Sequence, residues 1–448
     1  MASTYLTRTF QSGGNRKKWT YSVWFKRSRI SASSGDNMLF QSYVSTYTYC
    51  PLQTDDTLRF QDGSGGNKRT HMKFRDCNAW YHLVVAIDTD LSTAGDRYKI
   101  YVNGTRLTDA DFETNTNPSQ GYEGEWNKAQ LMNIGRHSAG ESYFDGLMSH
   151  IHFCDGYQYQ ASDFGETDAT TGEWKIKTSP NVSYGTTGFF ILKDGNTVTD
   201  SSSNSNTWTV GAGTLTKTED NPSNVFATFN PLARSTNSHY ANGNTTYDYA
   251  NNYQKTTSST LATNNKKIYA EFKILRSTTI HLGIVGDTFI SDGRTVNDTG
   301  ASWSYDMRGH TGAIALQTAS GTGSIYVDGS YSSTNVDFTT TTNDIVMIAF
   351  DPTTKKIWWG KNGTWSSSGN PATGANASYT YSGTATSDFC FAVASEGSSA
   401  GAISANFGNG YFGTTAVSSA GANASGIGIF EYDVPANFTA LSTKGLNL

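Results

Sequence analysis

The stretch Asn78 to Leu107, NAWYHLVVAIDTDLSTAGDRYKIYVNGTRL, constrains this chain more than any other. Leu83, Val85 and Ile87 alternate up to Asp88, the period-two pattern of a strand with one face in a core. A Gly/Ser/Thr/Asp-rich loop follows, and Tyr98 to Val102 returns as a second β-rich run closed by Asn103-Gly104. Asn-Gly tolerates positive φ at both central turn positions, so it is a strong hairpin signal. Asp344 to Trp365, DIVMIAFDPTTKKIWWGKNGTW, repeats this grammar, with Val346, Ile348 and Phe350 alternating and Asn362-Gly363 closing. Two separated copies of one strand-loop-strand plan predict two β domains.

Length and composition agree with that division. A chain of 448 residues exceeds one comfortable hydrophobic core. With 25 Tyr, 23 Phe, 10 Trp, 45 Gly and only 16% charged residues, it has the make-up of β sandwiches with polar loops. The expected fold class is all-β: two antiparallel β-sandwich (jelly-roll) domains in tandem, residues 1–218 and 219–448. The polar segment Thr216 to Asn224 is the expected linker. A net charge of −5 supplies neither a basic field for nucleic acid nor a polybasic patch for anionic lipid. No run is apolar enough to insert in a membrane.

The opening MASTYLTRTFQSGGNRKKWTYS holds no apolar run of the length a secretory signal needs. Cys50, Cys77, Cys154 and Cys390 lack CxxC spacing. The expectation is four free thiols in a protein folded in a reducing cytoplasm.

Strands are expected along the first half at Trp19–Arg27, Asn37–Gln41, Thr57–Asp62, Lys73–Arg75, Leu131–Gly135, Gly146–Cys154 and Phe189–Lys193. A long polar loop is expected over Asp109–Lys128, and a short helix near Ala161–Phe164 with Ser162 as its cap. The second half adds Lys267–Leu275, His281–Val285, Gly312–Gln317, Gly323–Val327, Phe389–Ala394 and Ala402–Phe407. Ser366–Ser378 reads as a loop projecting from a sheet edge.

The pieces WTYSVWFKR, WYHLVVAID…YKIYVNG and IGRH…YFDGLMSHIHFCDG resemble the laminin-G-like or concanavalin-A-like lectin/glucanase jelly roll. The second half resembles a SPRY-type sandwich through NVFATFNPL, KIYAEFKI, HLGIV, NDIVMIAFDPTTKKIWWGKNGTW and ANFGN. YLTRTF…GNRKKWTYSVWFKR, ASDFGETDATTGEWKIK, YGTTGFFILKDG and the ending YDVPANFTALSTKGLN are similar to virion structural proteins of marine tailed phages. The resemblance implies a virion surface protein, on a tail fibre or tip or as a capsid appendage, released by lysis. It further implies binding to a host-surface glycan or receptor, or, alternatively, a decoration or cement protein bound to other virion proteins. A homo-oligomer, with a trimer as one form, goes with that setting.

Catalysis is not expected. A retaining glycosidase needs two carboxylates about 5 Å apart, supplied on a strand by a Glu-x-Asp-x-Glu run. Glu123 and Glu125 come closest, in a loop, and Asp109 and Asp111 are similar. His150, His152 and Cys154 alternate along one strand, but nothing in the spacing completes a zinc set. The loops Asp88–Asp96 and Ser291–Asp298 offer calcium-type oxygens without EF-hand spacing, and turn formation accounts for them equally. No metal or cofactor is expected. The candidate ligand-binding residues are instead the loop aromatics Tyr122, Trp126, Tyr143, Trp303, Tyr305 and Trp365. Aromatic rings pack on the apolar faces of sugars, so loop-borne rings are candidate glycan platforms, against the alternative that each closes the end of a sandwich.

Overall fold

The computed structural model describes residues 3–30, 35–43, 47–138, 140, 142–193, 195–232, 238–249, 256–276, 279–291, 307–318, 323–395 and 401–448. Strands make up 45% and helices 5% of the protein, so it is all-β. It divides into two compact units, Met1–Lys217 with Asn221–Ser223, and Thr218–Asp220 with Asn224–Leu448.

Among the described residues, the first unit sets an eight-stranded sheet against a six-stranded one. The larger runs Phe112–Thr116, Gly66–Lys73, Thr57–Asp62, Tyr47–Leu52, Asn37–Tyr43, Leu131–Ile134, Tyr5–Thr9 and Thr209–Ala212. The smaller runs Phe189–Ile191, Gly146–Asp155, Lys18–Arg27, Tyr81–Asp88, Tyr98–Val102 and Thr105–Arg106. Phe40, Phe60 and Met132 from one sheet meet Tyr21, Val23, Val85 and Ile100 from the other in a single core.

The smaller sheet is buried on both faces. Val84, Ala86, Tyr101 and Cys154, on the side away from the main core, form a second apolar layer with Ala161 and Phe164. Period-two alternation leads one to expect a solvated outer face on Tyr81–Asp88; the chain after Asp155 covers it instead.

Three local expectations are corrected. The Asp109–Lys128 loop contains the strand Phe112–Thr116, held because Phe112 is buried and its neighbours pair with Gly66–Lys73. The turn at Ala161–Asp163 is a 3₁₀ helix capped from Gln160, not Ser162: the Asp163 carboxylate accepts the Gln160 N–H at 2.7 Å. The strand anticipated at Lys73–Arg75 ends at Lys73.

In the second unit, a nine-stranded sheet is built on Ser238–Ala241, Thr246–Tyr249, Gly401–Asn406, Ile268–Arg276, Ile345–Asp351, Lys356–Lys361 and Thr364–Trp365, with two short strands, Tyr379–Thr380 and Thr439–Ala440, pairing with Lys356–Lys361 and Ile268–Arg276. It faces the six strands Thr256–Ser258, Cys390–Ser395, Ile280–Val285, Ala313–Gln317, Gly323–Val327 and Ser330–Val336. Phe272, Ile348 and Trp359 pack with Leu282, Leu316 and Val393 between them. The stretch after Trp365 does not project. Trp358 Nε1 donates to the Ala375 carbonyl at 2.9 Å and Lys356 Nζ to that of Gly374 at 2.8 Å, folding it back onto the sheet.

Candidate functional site

The aromatics singled out in the sequence do not assemble into one surface. Trp126 is fully buried in the first core, its ring 4.9 Å from that of Phe40 and 5.9 Å from that of Tyr21. A ring without accessible surface cannot carry a sugar, so Trp126 is corrected to a core residue, packed among Trp19, Tyr21, Phe40 and Phe153. Tyr122 is half-buried and closes a turn: its hydroxyl donates to the Asp62 carbonyl at 3.1 Å, and its ring lies where a Cβ on Gly65 would be. Tyr143 is half-buried beside Arg136, whose guanidinium lies 5.8 Å from its ring and 4.4 Å from that of Tyr5. Trp365 sits on a strand and packs edge-on to Tyr269 at 6.3 Å. Trp303 and Tyr305 lie outside the described residues.

The carboxylates considered for chemistry are otherwise engaged. Arg16 bridges Glu123 at 3.1 Å and Glu125 at 3.4 Å, and Lys128 holds the second oxygen of Glu125 at 3.1 Å. Asp111 accepts from the Thr108 N–H, and Asp109 from the Asn115 amide. In the Asp88–Asp96 loop, Lys18 meets Asp88 at 2.7 Å and Arg106 meets Asp96 at 2.8 Å. The Ser291–Asp298 loop lies outside the described residues beyond Ser291.

The His-x-His-x-Cys alternation is broken by a bulge. Pairing with Lys18–Arg27 shifts register between Ser149 and His152, and His150 takes φ +47°. The strict alternation is therefore lost, although the His150 and His152 rings both pack on Phe190, at 5.6 and 3.9 Å. His152 is buried with its Nδ1 2.9 Å from the Tyr184 hydroxyl and its ring 3.9 Å from that of Phe190. Among the described residues no group of three His, Cys, Asp or Glu is placed to hold a metal.

A different surface brings polar and aromatic groups together: the face of the eight-stranded sheet turned away from the core. On adjacent strands Leu58, Phe60 and Cys50 point inward, so Arg59, Gln61, Tyr47 and Tyr49 point outward. Register aligns Thr116, Asn67, Gln61, Tyr49, Gln41, Asn133 and Thr7 in one row across six neighbouring strand pairs. Tyr49 and Tyr47 lie 4.8 Å apart, and the Tyr49 hydroxyl donates to Gln61 Oε1 at 2.9 Å. Arg59 lies over the Tyr49 ring at 5.6 Å while its Nε donates to Asn67 Oδ1 at 3.0 Å. Beside it Arg69 is held by Asp55 at 2.7 Å and Glu113 at 3.4 Å. Burial raises the Asp36 carboxyl, and the Thr54 backbone and the Arg59 charge pull it partly back.

Tyr47, Tyr49, Arg59, Gln61 and Asn67 are half-buried and fixed by one another, so a ligand would meet them in place, whereas Gln41 and Asn133 farther along the row are buried. Hydroxyl, amide and guanidinium groups lie beside two aromatic rings over about 10 Å, the width of three strands. The signal for this face was present in YTY and TLRFQD, as the polar half of period-two strands. Its residues lie on strands, not in loops, so the loop aromatics do not include it.

Residues 2–160, which contain most of this face, match the family profile described as the concanavalin A-like lectin/glucanases superfamily. Among curated proteins nothing matches the chain. Two of the solved structures that match are the SPRY domain of human HERC1 and a putative carbohydrate binding protein from Bacteroides ovatus. The first is 13% identical, over 40% of this chain and 96% of that one, with a TM-score of 0.30. The second is 16% identical, over 48% of this chain and 57% of that one, with a TM-score of 0.31. The first unit is thus similar to the concanavalin-A-like lectins and glucanases over residues 2–160.

Proposed function

We propose that the protein is a non-catalytic recognition protein whose first unit binds carbohydrate on the outward face of its eight-stranded sheet. The observation that carries this reading is the in-register row through Asn67, Gln61 and Tyr49, with Tyr47 and Arg59 against it. Sugars are bound by rings that cover their C–H faces and by fixed polar groups that replace water at their hydroxyls. The superfamily match over the same residues supports it. The engagement of Glu123, Glu125, Asp109 and Asp111 by other groups goes with binding without turnover.

The proposed setting is the surface of a tailed-phage particle, supported by the resemblance of the sequence to virion structural proteins; the sugar would then be a host-surface polysaccharide. Decoration of the particle through contacts with other virion proteins is the second reading, favoured by the same resemblance.

Affinity electrophoresis of the whole protein in gels containing bacterial polysaccharides tests the proposal. Retardation is expected, with the polymer recovered at unchanged length, and Tyr49→Ala together with Gln61→Ala abolishes it. Shortened polymer overturns the non-catalytic reading. Retardation that survives both substitutions moves the site off this face.

A further inference from the structure

The geometry points to a carboxylate-bearing sugar, a uronic or ulosonic acid unit, as the ligand class of this face, with Arg59 as the residue that selects it. The inference rests on the glycan reading above. Arg69, Arg16, Arg27, Arg75 and Arg106 each meet a carboxylate within 4 Å, Arg27 and Arg75 sharing Asp56. Among the described residues Arg59 has no such ion pair; its bond is to the neutral amide of Asn67. That bond uses Nε and leaves the two Nη groups, which form the fork that matches a carboxylate in two parallel hydrogen bonds. The Tyr49 ring beneath the guanidinium and the Asn67 amide behind it fix the plane of the fork.

The remaining neighbours fit a ring attached to that carboxylate. Tyr47, half-buried and 4.8 Å from Tyr49, offers an aromatic face one strand from Arg59. Gln61 and Asn67 are paired across strands and supply amides for hydroxyls. Asp36 is the opposing charge here: it is close enough for Arg59 to lower its pKa, though burial raises it overall. Arg69 adds no free charge, since Asp55 and Glu113 neutralise it. The selectivity therefore resides in one guanidinium. Its attraction is exposed to solvent and screened by salt.

The test is affinity electrophoresis and titration calorimetry of the whole protein with four polymers: alginate and polygalacturonate (uronates), polysialic acid (an ulosonate), and neutral dextran. Binding to at least one carboxylated polymer about tenfold tighter than to dextran at low salt is expected, as a charge-assisted fork contributes. Arg59→Gln should remove that preference with the unfolding midpoint unchanged, and Arg59→Lys, which keeps the charge without the fork, should retain part of it. The uronate and ulosonate arms tell which acid is preferred. Equal binding of dextran and the acidic polymers, or a preference that survives Arg59→Gln, overturns the inference and leaves the glycan reading standing. Binding to none of a broad polysaccharide set overturns both.

Discussion

Asn103 and His82 exchange two hydrogen bonds: the His82 N–H donates to Asn103 Oδ1 at 2.8 Å, and the Asn103 N–H donates to the His82 carbonyl at 2.9 Å. In the second unit Ile345 and Asn362 make the same pair, at 2.8 and 2.9 Å. In each case the Asn opens a tight turn with Gly, at φ +47° and +83° for Asn103-Gly104 and +48° and +86° for Asn362-Gly363. One residue type thus turns the hairpin and ties its neighbouring strand. Asn is suited to both tasks, because it tolerates positive φ and its amide oxygen accepts.

Substituting Asn103 by Ala should remove the side-chain bond to His82 and strain the turn, lowering stability by about 1–2 kcal/mol. Asn362→Ala should cost slightly more, since its Nδ2 also donates to Asp344 at 2.7 Å. Urea unfolding of each variant checks both, and unchanged midpoints would show the turns to be passive.

Acid should weaken the first unit through its buried histidines. Burial lowers His82 from 6.5 to about 3. Trp174 Nε1 donates to its Nδ1 at 3.0 Å, so its proton sits on Nε2, facing Ser22 at 2.9 Å. His152 is likewise lowered by burial and by the nearby His150 and His82. Below pH 6.5 the unfolded chain takes up protons that the folded unit refuses, so stability is full above 6.5 and is lost as pH falls toward 3. Denaturant unfolding at pH 7, 5 and 4 should show this decline, and His82→Gln should make it shallower.

Glu271 carries the opposite sign in the second unit. Its carboxylate is buried and accepts from the N–H groups of Glu431 and Tyr432 at 2.9 and 2.8 Å and from the Tyr269 hydroxyl at 2.9 Å. Burial raises it from 4.5 to about 7 against those bonds. The folded state therefore holds a proton that the unfolded state releases, so this contribution is full below pH 4.5 and is lost as pH rises through 7. Hydrogen exchange at the Glu431 and Tyr432 amides, corrected for intrinsic rate, should report easier opening at pH 8 than at pH 5. Protection equal at both values would contradict it.

The four cysteines are all buried and unpaired in the fold, and burial raises each thiol, Cys77 to about 12. A thiol reagent should therefore react with none at neutral pH in the native protein and with four after denaturation. Fewer than four in denaturant, without reductant, would mean disulfides form.

Trp126→Ala should cost about 3–5 kcal/mol, as truncation of a buried aromatic does. Adsorption to polysaccharide should survive at temperatures where the variant stays folded. Loss of binding by a folded variant would restore Trp126 to the site.

The sequence alone determined the all-β class, both Asn-Gly hairpins and most central strands, because these rest on local terms: period-two alternation and the φ range of a turn residue. Leu83, Val85 and Ile87 point to the core by their spacing, wherever the second sheet comes from. Tertiary structure decided what lies on the other side of each strand. Val84 and Ala86 are covered by a later segment, Trp126 is drawn into a core built from distant strands, and the His150 bulge exists through pairing with Lys18–Arg27. The row Asn67–Gln61–Tyr49 likewise depends on register between strands, and so does the Arg59 guanidinium held between Asn67 and Tyr49. Register is set by which faces find a partner to bury, a property of the assembled sheets that no single segment carries.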